Sequence, residues 1–255
     1  MAYRYDPDLE FLGNCSSEEL KDFAELLIYN KDGNERVTGN SDLAKKYKEQ
    51  PDCNQYWQEL AAEFQKFGGN TIANYVGRFG DGVLYREILC DVCDKLKVNY
   101  EKKQSSTELI EQNLLMKALS DSIEKMPSEE LKKAAQELGI ENTNNLTPQV
   151  CAAAFIAMFR AGGFKSYQIT LIVVNAIWRF LFGHGLKLAT NATITRTLSI
   201  LTGPLGWTIT GLWTAIDIAS PAYRVTIPAV FQIIYLRSLN ANRALIEEQT
   251  DNHQQ

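Results

Sequence analysis

The chain has 255 residues, 45% of them hydrophobic, 22% charged and 10% aromatic, with a net charge of -5. That composition excludes a disordered chain, because aromatic and aliphatic residues are present in the proportion that lets a chain bury a core. It allows one large domain or two smaller ones. The total charge hides a step. Residues 1–149 carry 18 basic against 27 acidic side chains, whereas residues 150–239 carry seven basic ones (Arg160, Lys165, Arg179, Lys187, Arg196, Arg224, Arg237) and one acid, Asp217. A polar stretch from residue 240 ends the sequence. The step places a boundary near Pro148 and predicts an acidic helical domain at 1–148, an apolar net-basic helical domain at 149–239 and a tail at 240–255. The basic residues stand singly in apolar sequence, which argues against nucleic acid as a partner, since a phosphate-tracking surface needs them clustered.

In chain order, the first element is an amphipathic helix at 16–27, SSEELKDFAELL, with Leu20, Phe23, Ala24 and Leu27 on one face and a Ser16 to Glu19 capping box. A related segment, PSEELKKAAQELGI, recurs at 127–140 with Leu131, Ala134, Ala135 and Leu138 in the same spacing. A helix is expected over 52–67, with Tyr56, Trp57, Leu60 and Phe64 inward, ended by Gly68-Gly69-Asn70. Residues 84–97 place Tyr85, Ile88, Leu89, Val92 and Leu96 on one stripe, and 107–126 do the same with Leu115, Leu119, Ile123 and Met126.

After Pro148 the chain turns apolar: CAAAFIAMF, then SYQITLIVVNAIWRFLF at 166–182, then an uncharged stretch from Thr197 to Ile216. That stretch has the length needed to cross a bilayer core, but Gly203-Pro204-Leu205-Gly206 breaks it, so two half-length helices are expected. Three of the four tryptophans, Trp178, Trp207 and Trp213, fall in this region beside isolated arginines. Such a pattern suits either an interfacial membrane anchor or the buried centre of a bundle. The expected fold is therefore all-α, a helical bundle with a C-terminal hydrophobic helical hairpin.

Chemistry-bearing motifs are few. Cys90 and Cys93 form a C-x-x-C in the middle of an amphipathic helix, not at a helix start, so they read as core residues, Cys90 at the edge. His184 lies between glycines and reads as a turn residue with a hydrogen-bonded ring. Nucleophile-elbow, phosphate-loop and zinc-protease signatures are absent from the sequence, and neither a cofactor nor a metal is expected. The start, MAYRYDPDLEF, lacks the apolar core of a secretory leader, and with five cysteines this predicts a reducing, cytoplasmic setting, peripheral to or inserted in the inner membrane. Asp217, a lone acid among apolar residues, is expected to pair with Arg224.

Several segments carry a resemblance: Gln65-Lys66-Phe67-Gly68-Gly69-Asn70-Thr71-Ile72-Ala73-Asn74, Tyr85-Arg86-Glu87-Ile88-Leu89, AYRVTIPAVFQIIYLR at 222–237, and an N-terminal pattern of Asp8, Phe11, Leu12, Cys15, Ser17, Glu19 and Leu20. In these the chain resembles the bacterial YaaW-like family, whose middle part is distantly similar to the ubiquinol-cytochrome c chaperone, a helical assembly factor acting at a membrane. The resemblance implies an all-helical fold without enzyme activity and supplies no catalytic residues; the C-x-x-C departs from its pattern. The functional expectation is a non-enzymatic protein that meets a membrane or a hydrophobic client through residues 166–237, as a chaperone or assembly factor. The residues expected to make that contact are Trp178, Gly203, Pro204, Gly206, Trp207, Trp213, Asp217, Tyr223, Arg224, Pro228, Gln232 and Arg237. Two alternatives stand beside it: a stress or phage-defence effector that inserts its hairpin to permeabilise the inner membrane, and a soluble protein-binding module. A homo-oligomer is compatible with each.

Overall fold

The computed structural model describes residues 2–36, 40–69, 82–124, 126–137, 147–182, 184–186 and 222–244. Among these the regular structure is helical, and extended pairing is confined to one bridge between Tyr29 and Glu35. The helices are α1 (Ser17–Ile28), α2 (Ser41–Glu49), α3 (Trp57–Gly69), α4 (Tyr85–Lys95), α5 (Thr107–Glu124), α6 (Ser128–Glu137), α7 (Pro148–Arg160), α8 (Gly163–Phe182) and α9 (Tyr223–Ala241). The expected hairpin around Gly203-Pro204-Leu205-Gly206 lies outside the described residues. No described helix is long and apolar enough to cross a membrane.

The chain divides into two units, one of Met1–Asn113 with Ile218–Asn240, the other of Leu114–Asp217 with Ala241–Gln255. In the first, α1 opens with the capping box read from sequence: the Glu19 amide donates to the Ser16 hydroxyl and the Ser16 amide to the Glu19 carboxylate. Two orphan donors of the first turn are thereby satisfied. Leu20, Phe23, Ala24 and Leu27 are all buried, and α1 packs on α3. The helix expected at 52–67 is shifted: Cys53–Tyr56 forms a 3-10 turn and α3 starts at Trp57. The reason is tertiary. The Asn54 amide donates to the Ser17 hydroxyl and its side chain to the carbonyls of Gly13 and Cys15, which holds this turn against the start of α1. At the other end of α3, a Cβ on Gly68 would lie 2.3 Å from Ile88 Cδ1, so α3 and α4 approach closely because Gly68 has no side chain.

α9 is the most deeply buried helix of this unit. From Val225 to Leu236 the buried run is unbroken. Such a helix has no polar face to turn outward, and its place is the middle of a bundle. Each large aliphatic or aromatic side chain so buried contributes roughly 1.5–3 kcal/mol.

In the second unit α7 starts as expected, with Pro148 in the first turn and the Thr147 hydroxyl accepting from the Val150 amide. It packs along α8, whose residues Ile169 to Trp178 are buried. Just past α8, the Leu186 amide donates to Asn175 Oδ1 at 2.9 Å, and Gly185 leaves room for it, since a Cβ there would lie 2.7 Å from the same oxygen. His184 is exposed, with Nδ1 2.8 Å from the Gly185 carbonyl oxygen, in keeping with a turn residue.

Candidate functional site

Glu111 lies on the buried side of α5, its side chain 5% exposed, and its carboxylate accepts from the Tyr85 hydroxyl at 2.6 Å and from Arg237 Nε at 3.2 Å. Arg237, near the end of α9, donates a second bond to the Asp8 carbonyl at 2.7 Å, and its guanidinium stands 4.6 Å from the Phe11 ring centre and 5.8 Å from that of Tyr85. Three separated stretches of chain meet on this one cation. The network continues outward: the Thr107 hydroxyl donates to Asp8 Oδ2, and Arg86 donates to that hydroxyl and to the carbonyls of Lys102 and Ser105.

Below it, the N-terminal segment is bound along α3 and α4. Asp6 Oδ2 accepts from the Tyr85 amide at 2.6 Å and so caps α4, whose own N-cap residue, Leu84, supplies no side-chain acceptor. The Gln65 side chain donates to the Arg4 carbonyl and accepts from the Arg4 amide, as a neighbouring strand would. Gly82 makes room for this clamp, because a Cβ there would fall 2.7 Å from Gln65 Cβ.

The electrostatics follow burial. Loss of solvent raises the carboxyl of Glu111 above its ordinary range, against the pull of Arg237 and the Tyr85 hydroxyl. It likewise raises Asp6, opposed by the amides of Tyr85 and Asp8, and it holds the Tyr85 hydroxyl protonated far into alkali. All five cysteines are buried free thiols. Burial pushes Cys90 and Cys93 up and Cys151 up to about 11, so none of these three is poised as a thiolate nucleophile. Cys90, expected at the core edge, is only 2% exposed.

The residues expected to contact a partner fall into three groups. Gly203, Pro204, Gly206, Trp207, Trp213 and Asp217 lie outside the described residues, and with Asp217 goes the expected pair to Arg224. Trp178 is buried in the second unit, its ring 4.6 Å from Phe182 and its indole N–H without an acceptor among the described residues. Tyr223, Arg224, Pro228, Gln232 and Arg237 share α9. Tyr223 donates to Asp91 Oδ1 at 3.2 Å with the Lys95 ammonium 5.3 Å from its ring, Arg224 is exposed, Pro228 and Gln232 are buried, and Arg237 holds the network above. Sequence reasoning missed Glu111, Asp6 and Gln65. For Glu111 a signal existed: stepping back by four from Ile123, Leu119 and Leu115 lands on an acid in an apolar stripe.

Among the described residues the secondary structure is helical, the Glu111–Arg237 pair joins distant stretches of the chain and the thiols are shielded. Residues 53–231 match the family model described as ubiquinol-cytochrome C chaperone, and residues 3–37 match a domain of unknown function, DUF3944. A UPF0174 protein of Helicobacter pylori strain J99 is 52% identical over 93% of this chain and 93% of the relative. The UPF0174 protein YaaW of Escherichia coli K12 is 35% identical over 93% of this chain and 96% of its own. The chain belongs to the UPF0174 family, as its resemblance to YaaW-like sequences led us to expect. No solved structure matches it.

Proposed function

We propose that the protein is a non-catalytic chaperone or assembly factor that takes a hydrophobic helical partner through the segment 166–237. The observation that carries this reading is the match of residues 53–231 to the ubiquinol-cytochrome C chaperone model, which runs from α3 into the middle of α9. Long buried and mostly apolar runs, residues 169–178 in α8 and 225–236 in α9, support it, because they are the material an apolar partner would replace. The partner stands at a membrane surface in this reading, with Trp207 and Trp213 of this chain as interfacial aromatics and residues 149–239 as the client-handling part.

The test dilutes a detergent-solubilised polytopic helical membrane protein into buffer with and without the purified full-length chain. Stoichiometric suppression of light scattering is expected. Unchanged aggregation at tenfold excess would remove the reading. Flotation of the same preparation with phosphatidylethanolamine and phosphatidylglycerol vesicles then reports on the membrane: co-flotation supports a surface role, and protein left at the bottom of the gradient restricts the partner to a client in solution.

A further inference from the structure

α9 reaches its place differently from the rest of its unit. The chain around it, residues 1–113, is continuous, whereas α9 arrives from beyond Asp217. Its two ends carry polar attachments to that continuous part: Tyr223 on Asp91 at the start, Arg237 on Glu111 and the Asp8 carbonyl near the finish, roughly 20 Å apart at 1.5 Å per residue. Both carboxylate partners are acidic groups of a strongly acidic half of the chain, and the group they hold most firmly is a guanidinium.

Between the ends, two residues weaken the fit. Pro228 has no N–H and removes one intrahelical hydrogen bond, so α9 is a poor helix on its own. Gln232 is fully buried, and neither its amide nitrogen nor its amide oxygen has a hydrogen-bond partner among the described residues. An amide stripped of water and given no partner is costly, and a Leu or Met would fill the same space without that cost. The residue therefore lowers the hold of α9 on its surroundings.

The geometry points to α9 as an exchangeable occupant: the described part of residues 1–113 forms a seat for an apolar helix, and the client of the function proposed above, a foreign helix of the same chemistry, gains the seat when α9, the C-terminal part of the segment 166–237, gives it up. That client is about 19 residues long, apolar around its circumference, and carries an arginine near its C-terminal end to meet Glu111 and the Asp8 carbonyl. Release of α9 uncovers the seat and returns Gln232 to water, so the resident helix competes with the client and Gln232 sets how strongly.

A fluorescein-labelled peptide of residues 222–243 serves as the probe, added to the full-length protein and followed by anisotropy. Wild-type protein captures it weakly. Arg237→Gln and Tyr223→Phe, which loosen the resident helix, raise affinity at least tenfold; Gln232→Leu, which tightens it, lowers affinity at least fivefold. A peptide with glutamate in place of Arg237 fails on every variant. Hydrogen exchange read on the wild type shows α9 amides opening before those of α3 and α4. The proposal falls if α9 amides exchange only together with α3 and α4, or if Gln232→Leu, a variant expected to fold more firmly, captures the peptide as well as the wild type does. A dimer that trades α9 between two copies while ignoring the peptide also overturns it. These results are separable from the function itself: a protein that suppresses client aggregation while α9 never exchanges keeps that function and loses this site.

Discussion

Glu111 and Arg237 lie 3.2 Å apart, Glu111 shielded from water and Arg237 partly covered by Tyr85, Phe11 and the Asp8 backbone. A buried pair of this kind is costly to break on one side, because the survivor keeps its charge without compensation. Arg237→Met should lower the unfolding free energy by about 3 kcal/mol in urea titrations, and Glu111→Leu combined with it should recover most of the loss. A double-variant loss equal to the sum of the two single-variant losses would show that the pair is not a unit. The carboxyls of Glu111, Asp6 and Glu63 are all raised by burial, so the folded state holds their protons more tightly than the unfolded chain does. Stability is therefore greatest on the acid side of this window and falls as pH rises from the ordinary carboxylate range towards the raised folded values. Urea midpoints measured between about pH 4 and pH 8 should show that decline, and Glu111→Gln should flatten it. At this scale the sequence was partly legible: Glu111 sat on a visible apolar stripe, but its partner lies more than a hundred residues away, and no local rule links them.

At the scale of elements, what could be read was what is settled within one turn. The capping box of α1 and the first-turn proline of α7 are local, and both stand where the spacing put them. The start of α4 is different, since its cap is Asp6, 79 residues upstream, and no window of sequence around Leu84 reveals it. Asp6→Ala should cost about 1–2 kcal/mol, the usual worth of a helix cap, measured by thermal or urea unfolding. Gly82→Ala should cost about 1–3 kcal/mol, because the new methyl would meet Gln65 Cβ, an atom fixed to the α3 backbone that cannot swing away. The same contrast explains the late start of α3. Tyr56, Leu60 and Phe64 are buried as the periodicity requires, but the bonds of Asn54 to Gly13, Cys15 and Ser17 hold the preceding turn out of the helix.

For the molecule as a whole, composition showed an all-helical chain with an apolar, net-basic C-terminal stretch, and α9 has that composition. Its Tyr223 and Arg237 bond to residues within 1–113, an arrangement invisible to composition because attraction between distant segments leaves no local trace. Gln232→Leu should raise stability by about 1–2 kcal/mol in denaturant melts, reversing the usual direction of a polar-to-apolar change in a binding protein. The placement of α9 also has a consequence in time. Translation delivers the first 113 residues, then about a hundred more, before α9 leaves the ribosome. At roughly 5–20 residues per second the nascent N-terminal half spends on the order of 5–20 s with its inner wall unlined. During every round of synthesis a passing hydrophobic segment has that interval in which to arrive before the protein's own.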